Sequence, residues 1–356
     1  MKEFQKKNKI LYLVNQFGMH GGIQRMLCHK IDAWINEYGY DVVVVTINQN
    51  NAPVIYPPQN SYNLFDLNLP EVNKQNIKAL YTFRNRLKKV IKNESPDLII
   101  TTLTGLPSLI LPFIYPQIKK VLEIHSSGAL SVTPSWKYKW PFLNRYHKVI
   151  LLNEDEKKYY NFTNLVIIPN FIPSNDEVIN YENRGNRIIA AGRIHPDKQY
   201  DHLIKIWEKI FTKFPSWNLD IYGNGDRALL NEYQTYIKDH KIERVTFHPA
   251  TDDIEKELMK ASILCLTSAT ECFPMILIEC KKFMVPVVSY DSPNGPRHII
   301  NNDGILVKHN NIDQFARKLA ELMGNDKLRN FLAINAYKNQ TEFSSAEIIK
   351  KWNNLL

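Results

Sequence analysis

At 356 residues the chain exceeds one ordinary hydrophobic core and carries the expectation of about two domains. Its composition is that of a soluble globular protein, 44% hydrophobic and 23% charged, and 45 basic against 36 acidic residues leave a formal charge of +9. That charge admits an anionic partner (nucleic acid, a membrane surface or a phosphorylated small molecule), or it simply keeps the protein in solution.

The opening segment MKEFQKKNKI is charged and lacks the apolar core of a signal peptide. The longest apolar stretch, LPSLILPFIYP at 106–116, is broken by prolines and too short to span a bilayer. Cys28, Cys265, Cys272 and Cys280 form no CxxC pair and read as buried thiols of a reducing compartment, which points to the cytoplasm. No histidine or cysteine set has ligand spacing, so no metal and no cofactor are expected.

In chain order, KILYLV reads as a buried strand and NQFGMHGG as a loop. Ile23, Leu27, Ile31, Trp34 and Ile35 then recur at helical spacing, Gly39 suits the helix end, and DVVVVTI is a second strand. DLIITTL, KVLEIH and KVILLN continue the series. A polar stretch at 173–186 reads as a linker. Beyond it RIIAAG is a strand, followed by a helix carrying Leu203, Trp207, Ile210 and Phe214. LDIYG, RVTFHP, SILCLTS and VPVVSY then alternate with helical segments. Near-continuous Val/Ile runs suit parallel strands covered on both faces, so two α/β domains are expected, each with a parallel sheet. Ligands of such sheets bind beyond the carboxyl ends of the strands, and two such domains face to face leave a cleft.

The post-strand loops hold the candidates. After Gly192, which lets a ligand approach the backbone, come Arg193 and Lys198 and then a helix start near Asp201. A forked guanidinium, a mobile ammonium and a helix N-terminus can together clamp a diphosphate; two solvated surface charges fit the same residues. Gly21 and Gly22 before the first helix, and Gly223 in YGNGD, are compatible with anion binding and equally with tight turns. His125, at a strand's carboxyl end, suits a substrate contact or a structural role.

TSATECFPMILIEC places Glu271 and Glu279 eight positions apart. On one helix they would lie about 12 Å apart along the axis and about 80° apart in direction, unsuited to one shared proton. Pro274 is tolerated only in a first helical turn, so the helix is expected to start there. Glu271 then belongs to the loop and Glu279 to the second turn.

Taken in order, GGIQRM, IPNFIP, AAGRIHPDK, YGNGD, SATECFPMILIEC and SPNGPRHIINNDGILV resemble the motifs of the GT-B glycosyltransferases, specifically the retaining, nucleotide-sugar-dependent family 4 or group 1. The resemblance spans nearly the whole chain and is strongest in its second half. It implies two Rossmann-like domains with parallel sheets facing across a cleft. Residues 1–172 would bind the acceptor, 173–343 the nucleotide sugar, and a helix at 344–356 would pack back on the first domain. It implies that Arg193 and Lys198 bind the donor diphosphate, that Glu279 holds the ribose, and that Glu271 acts near the donor sugar. Gly21 and Gly22 would line the site, His125 would contact the sugar, and Asn170 would belong to the hinge and site. Gly192, Gly223, Phe273, Pro274 and Met275 complete the implied binding set. Three positions depart from the pattern: Cys272, Gln199 and Met284 stand where glycine or a small residue is frequent.

The activity so implied is metal-independent transfer of a hexose or N-acetylhexosamine from a UDP-type nucleotide sugar to a saccharide or polyprenyl-diphosphate-linked acceptor, in bacterial surface polysaccharide synthesis. The stretch SWKYKWPFLNRYHK, 135–148, interleaves bases with aromatics and suits an anionic membrane face or a solvated loop. A nucleotide-sugar epimerase of the same architecture is the rival reading. A basic nucleic-acid binder is disfavoured, because no recognition motif accompanies the charge.

Overall fold

The computed structural model describes residues 8–18, 21–70, 72, 76–133, 138–173 and 184–355. The polar stretch read as a linker therefore lies mostly outside the described residues. The chain divides into two compact units, Met1–Phe171 with Ser345–Leu356, and Ile172–Ser344.

The first unit carries strands β1 (Lys9–Val14), β2 (Asp41–Thr46), β3 (Asn63–Asp66), β4 (Leu98–Thr101), β5 (Lys119–Ile124), β6 (Lys148–Leu151) and β7 (Leu165–Ile167). Its helices are α1 (Gly22–Tyr38), α2 (Ile77–Glu94) and the short α3 (Leu106–Ile110), α4 (Gly128–Ser131) and α5 (Trp140–Leu143). All strand pairs are parallel, in the order β3-β2-β1-β4-β5-β6-β7. Leu11, Leu13, Val43, Val45 and Ile99 pack on one face of this sheet, and Ile10, Tyr12, Val44 and Ile100 on the other. Burial on both faces is why these strands are unbroken apolar runs.

The second unit has strands β8 (Arg187–Ala191), β9 (Asn218–Tyr222), β10 (Val245–His248), β11 (Ile263–Leu266), β12 (Val287–Tyr290) and β13 (Gly304–Val307). Its helices are α6 (Tyr200–Glu208), α7 (Arg227–Asp239), α8 (Ile254–Lys260), α9 (Met275–Lys282), α10 (Ile312–Gly324) and α11 (Asp326–Asn339). The strand order, β10-β9-β8-β11-β12-β13, is again doubly wound and parallel. The last helix, α12 (Ser345–Asn353), returns to the first unit, where Ile348, Ile349 and Trp352 join the core against α1. Before it, Ile172 and Ser344 pair as an isolated parallel bridge, so the two chain segments that leave the second unit run side by side.

Helix ends follow local chemistry. Gly39 takes the left-handed conformation at φ 64 and closes α1 with hydrogen bonds back to its last turn. Met284 does the same after α9 at φ 54, its N–H and that of Val285 returning to Lys281 and Cys280, and Gln199 does so at φ 47 before α6. All three are positions where glycine is the comfortable residue, and two of them carry side chains. The helix expected to extend through Ile210 and Phe214 stops at Glu208, and Phe211–Lys213 form a 3-10 turn. Phe214 precedes Pro215, which disfavours helical backbone at that residue. Strands β3, β7 and β13 were not among the expected ones; each is a short, incompletely buried sheet edge, of three or four residues. All four cysteines are buried. Burial pushes the Cys28 thiol up to about 12 and those of Cys265 and Cys280 upward as well, which keeps them protonated and unreactive.

Candidate active site

In a doubly wound sheet the ligand site lies where the strand order reverses, beyond the carboxyl ends of the two central strands. In the second unit those strands are β8 and β11. The loop after β8 carries Gly192, Arg193 and Lys198, and the loop after β11 carries Glu271. The structure joins the two loops: Lys198 Nζ donates to Glu271 Oε1 at 2.6 Å, and Ser268 Oγ donates to the same oxygen at 2.7 Å. Backbone lacing fixes the geometry. Ala269 N–H reaches Asp197 O at 2.7 Å, and Thr267 Oγ1 donates to Lys198 O at 3.0 Å. The loop after β12 joins too, because Asn294 and Gly295 N–H both donate to Glu271 O at 2.8 Å while Glu271 N–H reaches Pro293 O.

Glycine is required where these loops touch. A Cβ on Gly223 would lie 1.9 Å from Gly192 O, and one on Gly295 would lie 2.7 Å from Cys272 O. Gly192 O in turn accepts from the buried Tyr200 hydroxyl at 3.1 Å. Burial, with the nearby Glu271 charge, pushes that phenol's pKa up, so it stays a donor.

Arg193 is exposed and makes no hydrogen bond or ion pair among the described residues. Lys198 and Glu271 keep 23% and 13% of their side-chain surface, enough to meet a ligand without leaving the site. Helix α9 starts at Met275 with Pro274 as its cap residue, and no side chain caps it. Glu279 lies in its second turn and is 1% exposed, so it is not a solvated surface residue. Phe273 and Met275 are buried, Phe273 against the Phe343 ring at 5.8 Å, which leaves mainly their backbone to face a ligand. The sequence places the two glutamates on separate elements, and the structure does likewise. It also shows what sequence reasoning missed: Glu271 is held by Lys198, Ser268 and the loop after β12. The polar run Thr267–Thr270 inside an otherwise apolar segment was the available signal.

In the first unit the order reverses between β1 and β4. Gly21 caps α1 with extended backbone and Gly22 opens the helix; Met19 and His20 lie outside the described residues. Asn170, beyond β7, is 3% exposed, and its Oδ1 has no hydrogen-bond partner among the described residues. His125 follows β5, and its Nε2 lies 2.7 Å from Glu123 Oε2. Glu123 Oε1 accepts from Lys30 Nζ of α1 at 2.6 Å, and both of these side chains are almost fully buried. Lys30 Nζ sits 4.1 Å from the Trp352 ring centroid and 5.9 Å from those of Tyr12 and Trp34. Burial pushes the Glu123 carboxyl up, but Lys30 and His125 outweigh it and hold the group at about 2. Burial lowers the Lys30 ammonium's pKa, which Glu123 opposes. Lys30 and Glu123 were not among the expected site residues. Their signal was a charge on an otherwise apolar face, Lys30 between Leu27, Ile31 and Trp34, and Glu123 inside VLEIH.

Residues 172–339 match the family model "Glycosyl transferases group 1". An uncharacterized glycosyltransferase of Haemophilus influenzae is 26% identical over 98% of this chain and 99% of its own length. The amylovoran biosynthesis glycosyltransferase AmsD of Erwinia amylovora is 24% identical over the same shares. Among solved structures, a variant of Staphylococcus aureus TarM in complex with Fondaparinux, alpha-GlcNAc-glycerol and UDP superposes with a TM-score of 0.82 at 17% identity, over 98% of this chain and 99% of that one. At that identity the likeness speaks for the fold, which is GT-B. The second unit matches the group 1 glycosyl transferase family model over most of its length, and the whole chain is similar to glycosyltransferases over nearly all its length.

Proposed function

We propose that this glycosyltransferase moves a hexose or N-acetylhexosamine, with retention, from a UDP-sugar to a saccharide or polyprenyl-diphosphate-linked saccharide of a bacterial surface polysaccharide. The observation that carries the reading is the Lys198–Glu271 pair across the strand-order reversal of the second unit, beside an exposed Arg193 and the uncapped start of α9. The AmsD relative, named for amylovoran biosynthesis, and the TarM complex with UDP support the acceptor and donor classes.

In the transfer, the bond from the sugar's anomeric carbon to the diphosphate breaks and its electron pair leaves with the phosphate. Arg193, Lys198 and the α9 N-terminus stabilise that growing charge without a metal. Glu279 takes the ribose hydroxyls, and Glu271 and His125 address the sugar. Gly192, Gly223 and the backbone at Phe273 and Met275, with Pro274 between them, shape the donor site. Gly21, Gly22 and Asn170 in the acceptor-binding first unit complete the set. The acceptor hydroxyl attacks the face the diphosphate leaves and gives its proton to the departing phosphate.

The first unit also suits an anionic membrane surface. Tyr138, Phe142 and Phe113 are exposed, and Arg145 lies 4.8 Å from the Phe113 ring centroid. Trp136 and Lys137 of the same stretch lie outside the described residues.

The test is a thermal-shift screen of nucleotide sugars, followed by mass spectrometry of the product with polyprenyl-diphosphate saccharides. Stabilisation by a UDP-sugar and a product heavier by one hexosyl or N-acetylhexosaminyl unit is expected. Isomerised donor in the absence of acceptor would replace this reading with an epimerase. Release from anionic vesicles in Lys137→Glu/Lys139→Glu is the expectation for the membrane contact, and unchanged binding refutes it.

A further inference from the structure

We propose that Glu123 and Lys30 are positioning residues for His125, holding its imidazole as a neutral ring whose Nδ1 accepts a hydrogen bond from a substrate hydroxyl. This rests on the reading of His125 as a substrate contact.

The argument starts from the carboxylate. Its two oxygens are divided between two partners, Oε1 accepting from Lys30 Nζ at 2.6 Å and Oε2 facing His125 Nε2 at 2.7 Å. An ionised carboxylate only accepts, so Nε2 carries the ring proton. A neutral ring protonated there has its lone pair on Nδ1, and that nitrogen makes no hydrogen bond among the described residues. The tautomer is set by the partner of the other nitrogen.

Charge balance keeps the ring neutral. An unopposed buried carboxylate at this distance would favour the imidazolium, whose Nδ1–H donates and cannot accept. Lys30 cancels that charge from the far side of the same carboxylate. Tyr12 of β1, Trp34 of α1 and Trp352 of α12 surround the ammonium, so it has little freedom to withdraw. Glu123 also acts electrostatically on the buried Tyr12 phenol, whose pKa burial and that carboxylate both push up. Glu156 Oε2 accepts from Gly128 N–H at 2.7 Å, which engages that oxygen in the turn after His125. A buried ion pair serving packing alone would not need its carboxylate shared with a histidine two residues on, just past the strand's end.

The test uses the full chain with 15N-labelled histidine, the His125 signal being assigned through His125→Asn. The expected spectrum is the Nε2–H tautomer. Lys30→Met removes the cation that offsets Glu123 and should move the acid limb of kcat/KM for transfer to higher pH, and Glu123→Gln should move it to lower pH, each by about one unit or more. Each single variant strands one buried charge, so the double variant Lys30→Met/Glu123→Gln covers the case in which either fails to fold. It removes both charges and keeps a hydrogen-bond acceptor for Nε2, and should return the limb to near the wild-type pH. An Nδ1–H tautomer, or a double variant whose limb shifts by more than a unit, overturns the proposal, as does an unmoved limb in folded single variants. The spectra need no donor. A protein with the expected tautomer and no activity on any nucleotide sugar would therefore overturn the functional reading and, with it, the role given to Nδ1, while leaving the Glu123–His125 geometry standing.

Discussion

Both units place charge beyond or near the carboxyl ends of parallel strands, by opposite means. In the second unit Arg193, Lys198 and Glu271 lie in loops, partly open to water, with Glu279 buried on α9 behind them in sequence, and the loops are laced by backbone hydrogen bonds and by glycines that permit close contact. In the first unit the charges are buried on a strand and a helix, and they persist because each has a partner. The loop arrangement leaves Arg193 and Lys198 able to meet a ligand at little desolvation cost. The buried one is rigid, and losing either partner leaves the other as an uncompensated buried charge. A substitution in the second unit should therefore remove chemistry and spare the fold, whereas one in the first should threaten the fold itself.

The largest expected effect tests the first half of that contrast. Lys198→Ala should lower kcat for transfer by roughly a hundredfold or more while leaving the circular dichroism spectrum unchanged, and Glu279→Ala, on the buried helix α9, should lower it as far. Full activity in either would end the assignment of the donor site. Next comes Lys30→Met, which strands Glu123 and should cost about 3–5 kcal/mol in urea unfolding. A loss close to zero would show that the pair is not what holds this face together.

Acidification sharpens the same point. Glu123 ionises near 2 when folded, below its ordinary 4.5, so its stabilising contribution is complete above the higher value. It drains away as pH falls from there through 2, and the urea midpoint should drop across that window. The drop should shrink in the charge-free Lys30→Met/Glu123→Gln protein. The smallest effect concerns Gln199 and Met284, at φ 47 and 54. Replacing either by glycine should relieve strain and shift stability by no more than about 1 kcal/mol, because glycine's extra freedom when unfolded offsets part of the relief. A large destabilisation would mean the side chain is needed where it stands, for Gln199 through its 3.1 Å hydrogen bond to Asn310.

Much of the second unit's candidate site was legible from the chain because its signals are local. Val/Ile runs marked the central strands, and Pro274 located the start of α9 to within one residue. The glycines at 192 and 223 marked the loops that meet. Contacts between distant segments were not legible. Lys198 and Glu271 are 73 positions apart, and Lys30 and Glu123 are 93 apart. Their meeting depends on which strands are neighbours, and no local pattern states that. The edge strands escaped for a different reason: β3 is largely exposed and asks for little hydrophobic patterning, and the apolar runs of β7 and β13 span only three or four residues.

Trp352 has a consequence for the order in which the protein is made. It closes the aromatic enclosure of Lys30 and, with Ile348 and Ile349, one face of the first sheet. A ribosome delivers these residues only after the whole of the second unit has been synthesised. The nascent first unit must therefore wait with one apolar face only partly covered and a lysine incompletely housed, while the second, contiguous in sequence, can complete its core ahead of it.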